Sequence, residues 1–398
     1  METKITVLGD IMCEPYLIRA AKQGDTFDFN PLFAGLKDML SLSDYVIGNL
    51  ETPVAGAEAK YCEEWFSFNA PDEFLDAISS VGIRCVSTAN NHCLDRGMDG
   101  LRSTIHALDN AGIDHCGTYE YINNNRIAYA EINGLKVSIV AYTYGTNWRR
   151  TKVTLSQDKG GVNLLRPQDS VVKLQSKNPS SKTRVMNITV KSLQRILTAL
   201  GMPKWKAEQT HKFFHTGISS PYRDDNIDHE HTDPYLDECL ATLQEARSNS
   251  DFVIFLPHIG GQFNELPGAY SEYVIDMVAE SGCCDAIVAS HSHVIQKAEI
   301  KHGIPCFYSI GNVSMSPNSY YIPKEARTDL GLAVHLYIRD KKLQKVTFSV
   351  LRISENKNDM MKIEILGKDR IINEEGKYMS KYFDLSSWNG DEAILYSL

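Results

Sequence analysis

The chain has 398 residues, of which 43% are apolar and 23% charged, and a formal net charge of −9. This length holds one large domain with an insertion or two ordinary domains, and the composition excludes a disordered or collagen-like chain. The acidic balance argues against a surface built as a whole for nucleic acid, no apolar run reaches the roughly 18 to 20 residues of a membrane span, and the start METKITVLGDIMCEP is too short in apolar length for a signal peptide, so the chain as it stands reads as cytoplasmic.

Short β-branched runs alternate with helical segments from the beginning: KITVLGD, DYVIGNLE and IRCVSTANNH, a helix-period stretch from Gly97 to Ala111, then VSIVAYTY. Such alternation predicts an α/β layer fold. The pattern breaks at Asn147. From there to Arg223 fifteen lysines and arginines face three acids, which marks 147–234 as a basic insertion. Within it, ITVKSLQRILTALG reads as a helix stopped by Gly201 and Pro203. The acidic stretch from Asp224 to Asp233, with His229 and His231, reads as a solvated hinge.

Afterwards the alternation resumes with FVIFLPH, a helix through YSEYVIDMVAES, and DAIVASHSH. Next, GLAVHLYI and KVTFSVLRIS flank Arg339-Asp340-Lys341-Lys342 and predict a hairpin that completes a sheet. The expected organisation is one domain over 1–350, interrupted by the insertion, and a C-terminal extension over 351–398. Nine cysteines without a C-x-x-C pair read as reduced, buried thiols.

Five groups of polar residues each follow an apolar, β-rich run directly: Asp10, Asn49-Leu50-Glu51, Asn90-Asn91-His92, His258 and His291-Ser292-His293. In α/β sheets ligands gather at such strand ends. Singly, each residue has a plainer reading. Asp10 and Asn91 suit turns or helix caps, Glu51 a solvated acid, and His258 a loop histidine. His291 and His293 fall on one side of an extended segment, which suits a shared ligand. Jointly the imidazoles, carboxylates and amide suit one or two divalent ions of the manganese, iron or zinc kind, with a metal-activated hydroxide as nucleophile.

The runs GDIM, IGNLE, ANNHCLDRG, PHIGG, HSHVIQ and YSIGN occur in an order and spacing similar to the bacterial capsule-synthesis CapA family, the polyglutamate-capsule branch of the calcineurin-like metallophosphoesterases. The resemblance covers most of 1–145 and 250–335. It implies a layered α/β/β/α sandwich of two mixed sheets flanked by helices. It further implies Asp10 on one metal, Glu51 bridging, Asn91 and His258 on the other, and His291 and His293 completing the sites. His92 becomes the general acid, and Asp95 orients it or caps the next helix.

Three departures stand out from that pattern. Met12 follows Asp10-Ile11 where the wider superfamily has histidine, His258-Ile259-Gly260-Gly261-Gln262 replaces an H-W-G-x-E run, and Ser290 replaces a further histidine.

Asn90, Arg149, Arg150 and Arg223 are the expected substrate contacts, with Lys204 and Lys206 adding to the positive field. His211 and His215, one helical turn apart, are a weaker metal pair. The leading expectation is a metal-dependent hydrolase of a phosphoester or an acidic γ-glutamyl-type substrate. Its alternative is a non-catalytic component of capsule or polyglutamate assembly that binds an anionic polymer. An anionic small molecule or polymer and capsule-assembly proteins are the expected partners, and nucleic acid is not.

Overall fold

A computed structural model of the chain describes residues 1–61, 67–121, 126–155, 161–168, 181–202, 204–214, 218–219, 221–317, 319–355, 361–368, 374–389 and 391–397. Two mixed sheets face each other. The first has ten strands, and its spine runs from Trp388–Asn389 through Glu392–Ser397, Lys342–Glu355, Leu330–Arg339, Glu2–Ile11, Tyr45–Leu50 and Cys85–Ser87 to Asp114–Cys116. The second has six strands, ordered Ala298–Lys301, Ile304–Phe307, Ala286–Val288, Phe252–His258, Leu135–Thr143 and Ile127–Ile132.

Apolar alternation explains the layers. Ile5, Val7 and Ile47 of the first sheet meet Val137, Ile139, Phe252 and Ile254 of the second in a buried core between the sheets. The opposite face of the first sheet carries Leu8, Ile11 and Val46 against helices that include Glu73–Ser80. Beyond the second sheet, Val253 and Phe255 pack against helices His229–Asn249 and Ala269–Ser281. The result is the α/β/β/α sandwich of a metallophosphoesterase-like fold.

Parallel pairing places the strand ends together. Asp10 lies opposite Asn49, and Asn49 opposite Ser87, so three of the five polar groups share one edge of the first sheet. On the second sheet Leu135–Thr143 pairs in parallel with Phe252–His258 across the intervening 147–234, with Thr143 opposite His258. The edges close where a Cβ on Gly9 would come 2.0 Å from the Gly311 carbonyl oxygen, so only glycine fits and the GDIM and YSIGN turns touch.

Three expectations need correction. A boundary at 350 cuts strand Lys342–Glu355, with which Met361–Leu366 and Glu392–Ser397 both pair, so the residues beyond it widen the first sheet. Alternation such as Met361, Ile363 buried and Lys362 exposed supplies the reason. The supposed hinge is half helix: His229–Asn249 begins on Asp228, whose carboxylate accepts the His231 N–H, and Leu236, Cys239, Leu243 and Ala246 bury one face. His291 and His293 are not extended, because their φ angles are 106° and 58°.

The other local readings coincide with helix Gly97–Ala111 and with the hairpin turning at Asp340 and Lys341. The eight described cysteines are buried, and Cys62 lies outside the described residues. Among the described residues no helix is long and apolar enough to cross a membrane.

Candidate metal centre

Two triads of buried ligand atoms share one residue. Glu51, His258 and His291 form the first, and Asp10, Glu51 and His293 the second; within each, the ligand atoms lie within 4.8 Å of one another. Nε2 of His258 is 3.4 Å from a Glu51 oxygen and Nε2 of His293 is 3.8 Å from the same oxygen. Asn91 joins the first triad through its Oδ1, 2.8 Å from His258 Nε2.

The residues fit a divalent ion on their own evidence. Both carboxylate oxygens of Glu51 and Nε2 of His291 are buried and have no hydrogen-bond partner. Leaving a buried carboxylate without hydrogen bonds is costly, and divalent cations at the two triads would satisfy these atoms. Oxygen and imidazole donors together suit a borderline or hard first-row ion. Strain points the same way: positive φ at both His291 and His293 is rare for a residue with a Cβ and is found where function over-determines the backbone.

Electrostatics differ between the two imidazoles. Burial, with the neighbouring His258, His293 and His92, drives the His291 pKa well below the usual range, so its imidazole is neutral at neutral pH. Burial also opposes charge on His293, but Glu51 and Asp10 outweigh it and hold the pKa at about 9. For Asp10, burial pushes upward and the His293 and His258 contacts bring the net shift downward.

Several partners lie outside the expected set. Asn49 donates to Asp10 at 2.8 Å and sits 3.2 Å from His258 Nδ1, while Ser87 donates to Asn49. Asn312 Oδ1 is 3.0 Å from His293 Nδ1. Ser290, the residue standing in for a further histidine, places Oγ 3.0 Å from His258 Nδ1. Such outer contacts fix imidazole orientation and tautomer. Asn49 and Asn312 lie inside IGNLE and YSIGN, so the signal was the motif itself.

Tyr144 supplies an aromatic wall, its ring 4.5 Å from that of His291, whereas Ile259 is buried in the core of the second sheet. Met12 is likewise a core side chain, 1% exposed on the helix side of the first sheet, and not a ligand.

Beside the triads, His92 Nδ1 is 2.7 Å from Asp95 Oδ2, and the Phe68 ring lies 4.5 Å from the imidazole. The helix beginning at Gly97 receives no side-chain cap, so Asp95 faces the histidine. Asn147 links this pair to the rest: its N–H donates to Asn91 O and its Nδ2 is 3.3 Å from His92 Nδ1.

Asn147 also lines a cavity of 220 Å³ together with Tyr144, Trp148, Arg149, Arg150, Arg166 and Tyr222. Arg149 and Arg150 thus share a cavity with Tyr144, the residue whose ring packs against His291. Arg223 pairs with exposed Asp225, and Asn90 is engaged by Leu50 O and the His92 N–H. A larger cavity of 530 Å³ near Asp109 and His115 contains none of the ligand residues. His211 is buried against Tyr320, the side chain of Lys204 and all of His215 lie outside the described residues, and Lys206 is exposed.

The family model described as "Bacterial capsule synthesis protein PGA_cap" matches residues 4–316. The chain is 23% identical over 313 residues to a Bacillus anthracis protein named capsule biosynthesis protein CapA, covering 77% of this chain and 58% of that one. It is 20% identical over 308 residues to the Bacillus subtilis PGA biosynthesis protein CapA, covering 77% and 61%. A Sinorhizobium fredii protein, the uncharacterized y4sH, is 26% identical over 302 residues, covering 71% and 61%. The chain thus spans about three fifths of the length of these relatives. With the family match extending over most of the chain and containing every residue of both triads, the protein belongs to the bacterial capsule synthesis PGA_cap family.

Proposed function

We propose that the protein is a metal-dependent hydrolase acting on an anionic phosphoester or on an acidic, γ-glutamyl-type amide. The observation that carries this reading is the sharing of Glu51 by two buried triads in which both Glu51 oxygens and His291 Nε2 have no hydrogen-bond partner. When bound, divalent ions at these residues supply Lewis acidity, polarising a phosphoryl or carbonyl oxygen and making water nucleophilic near neutral pH.

The chain's own groups supply the remainder. With Asp95 accepting from Nδ1–H, a second proton on His92 resides at Nε2, from which it passes to a leaving group. Arg149 and Arg150 orient an anionic substrate in the adjoining cavity, while Tyr144 and Phe68 exclude water from the histidines. That two relatives are named for capsule biosynthesis and PGA biosynthesis supports an acidic substrate.

Elemental analysis of the purified chain, combined with a panel of phosphoester and γ-glutamyl substrates, tests the proposal. Metal-dependent turnover that disappears in His92→Ala supports it, and absence of bound metal after reconstitution defeats it. A second reading, a non-catalytic binder of an anionic polymer, draws on the removal of Met12 to the core, which leaves the Asp10 side with three acidic or imidazole ligands. Polymer binding that survives chelation and His92→Ala, without turnover, favours that reading.

A further inference from the structure

Among the described residues fourteen large apolar side chains stand exposed, and seven of them fall between 186 and 218, with Leu200 and Phe213 each 79% exposed. This is the insertion, built here of helix Ser181–Ala199 and the short helices Lys204–Glu208 and Thr210–Phe213, which contact one another. On the long helix, Ile188, Lys191 and Arg195 follow one another at i, i+3 and i+7, and Ile196 and Leu200 continue the adjoining row at i, i+4. All five are exposed, whereas Val190 is buried and Leu193 and Leu197 are half-buried. Cations and apolar side chains therefore share the solvent side.

A helix solvated on one face does not set isoleucine and leucine beside arginine there. An acidic polymer would engage Lys191 and Arg195 but gain nothing from Ile196, Leu200 or Phe213. A second copy of this chain would set cation against cation, because the stretch from Asn147 to Arg223 holds fifteen lysines and arginines and three acids. A lipid surface with anionic headgroups takes both kinds of group, the apolar ones at the acyl boundary and the basic ones among the headgroups.

We propose that this face of the insertion docks on an anionic membrane surface, lying on it without crossing. The surface is separate from the metal centre and stands or falls independently of it. It is nevertheless joined to the centre: the His211 ring stacks 4.9 Å from that of Tyr320, the Ser219 N–H donates to Tyr321 O, and the Tyr321 ring lies 6.2 Å from Phe263, whose ring is 5.7 Å from that of His293. Docking would set this link to the centre close to the membrane.

Co-sedimentation of the full chain with phosphatidylcholine vesicles, and with vesicles of three parts phosphatidylcholine to one part phosphatidylglycerol, tests the proposal. Partition onto the anionic vesicles is expected to be about tenfold stronger and to weaken with added salt. Lys191→Glu with Arg195→Glu, and separately Ile196→Ser with Leu200→Ser, should each reduce it by about tenfold or more. Phe213→Ser serves as a third variant should either pair melt below the parent. Equal binding to both vesicles, or undiminished binding by the charge variant, overturns the proposal. So does self-association in place of vesicle binding, which would assign the face to a second copy.

Discussion

Nδ1 of His92 lies 2.7 Å from Oδ2 of Asp95, and the same oxygen accepts the backbone N–H of Phe68. Asp95→Asn replaces an acceptor by a group that must turn either its NH₂ or its oxygen toward the imidazole, disturbing the tautomer that leaves a transferable proton at Nε2. Under the proposed chemistry, kcat falls by about 10²–10⁴ while the metal stoichiometry is unchanged. Steady-state kinetics with elemental analysis on the same sample decide it. Unaltered turnover in Asp95→Asn would remove His92 from the proton path.

Glu51 belongs to both triads, whereas His291 and His293 each belong to one. Glu51→Gln should therefore weaken every bound ion, while His291→Ala and His293→Ala should each affect chiefly one of two binding phases. Asn312→Ala, which removes the contact to His293 Nδ1 together with the hydrogen bonds from Asn312 Nδ2 to His293 O and Thr328 O, should lower metal affinity by about 10- to 100-fold. Competition titration with a chelating dye reads all four. Equal, partial losses in the three ligand variants would contradict a shared carboxylate.

Asp10, Glu51, Asn91 and His258 were legible because each ends an apolar run, and parallel pairing carries the ends of such runs to one sheet edge. The roles of Asn49 and Asn312 were not, although both stand in recognised runs, because a hydrogen bond across strands depends on register that a single segment does not encode. Helix His229–Asn249 was hidden by its first turn, where His229, Glu230, His231 and Asp233 give a polar surface that resembles a loop. Arg166 and Asp224, 58 residues apart, read separately as an insertion cation and a hinge acid; only the fold makes them partners.

Arg166 Nη2 donates to Asp224 Oδ2 at 2.8 Å with both side chains at most 5% exposed, and Arg166 Nε donates to Tyr144 O. Removing one member strands a buried charge. Arg166→Met should lower unfolding free energy by about 3 kcal/mol or more, and Arg166→Met with Asp224→Leu should recover much of the loss. Urea titration of the two variants and the parent measures this, and a double variant no more stable than the single would show that the pair itself, not the stranded carboxylate, carries the stability.

A second buried network, remote from the metal centre, sets the acid limit of the fold. Burial, reinforced by Lys4, drives the His335 pKa down to about 3, and its ring nitrogens meet Thr6 Oγ1 and Ser349 Oγ at 2.8 and 3.1 Å. Burial raises Glu392, but His335, Lys4, Thr347 and Tyr337 outweigh it and hold the carboxyl at about 2. Both folded-state values lie below the ordinary ones of 6.5 and 4.5, so in each case the unfolded chain takes up protons first as pH falls. Stability should be full above pH 6.5, decline through the histidine window toward about 3, and decline more steeply below 4.5 as the Glu392 window toward about 2 opens. Each group contributes a slope of at most about 1.4 kcal/mol per pH unit. His335→Gln removes the first window and narrows the second, because His335 is the foremost group lowering Glu392, so urea midpoints between pH 6.5 and 4.5 should vary less with pH in that variant than in the parent. An undiminished slope in His335→Gln would assign the acid sensitivity to other groups.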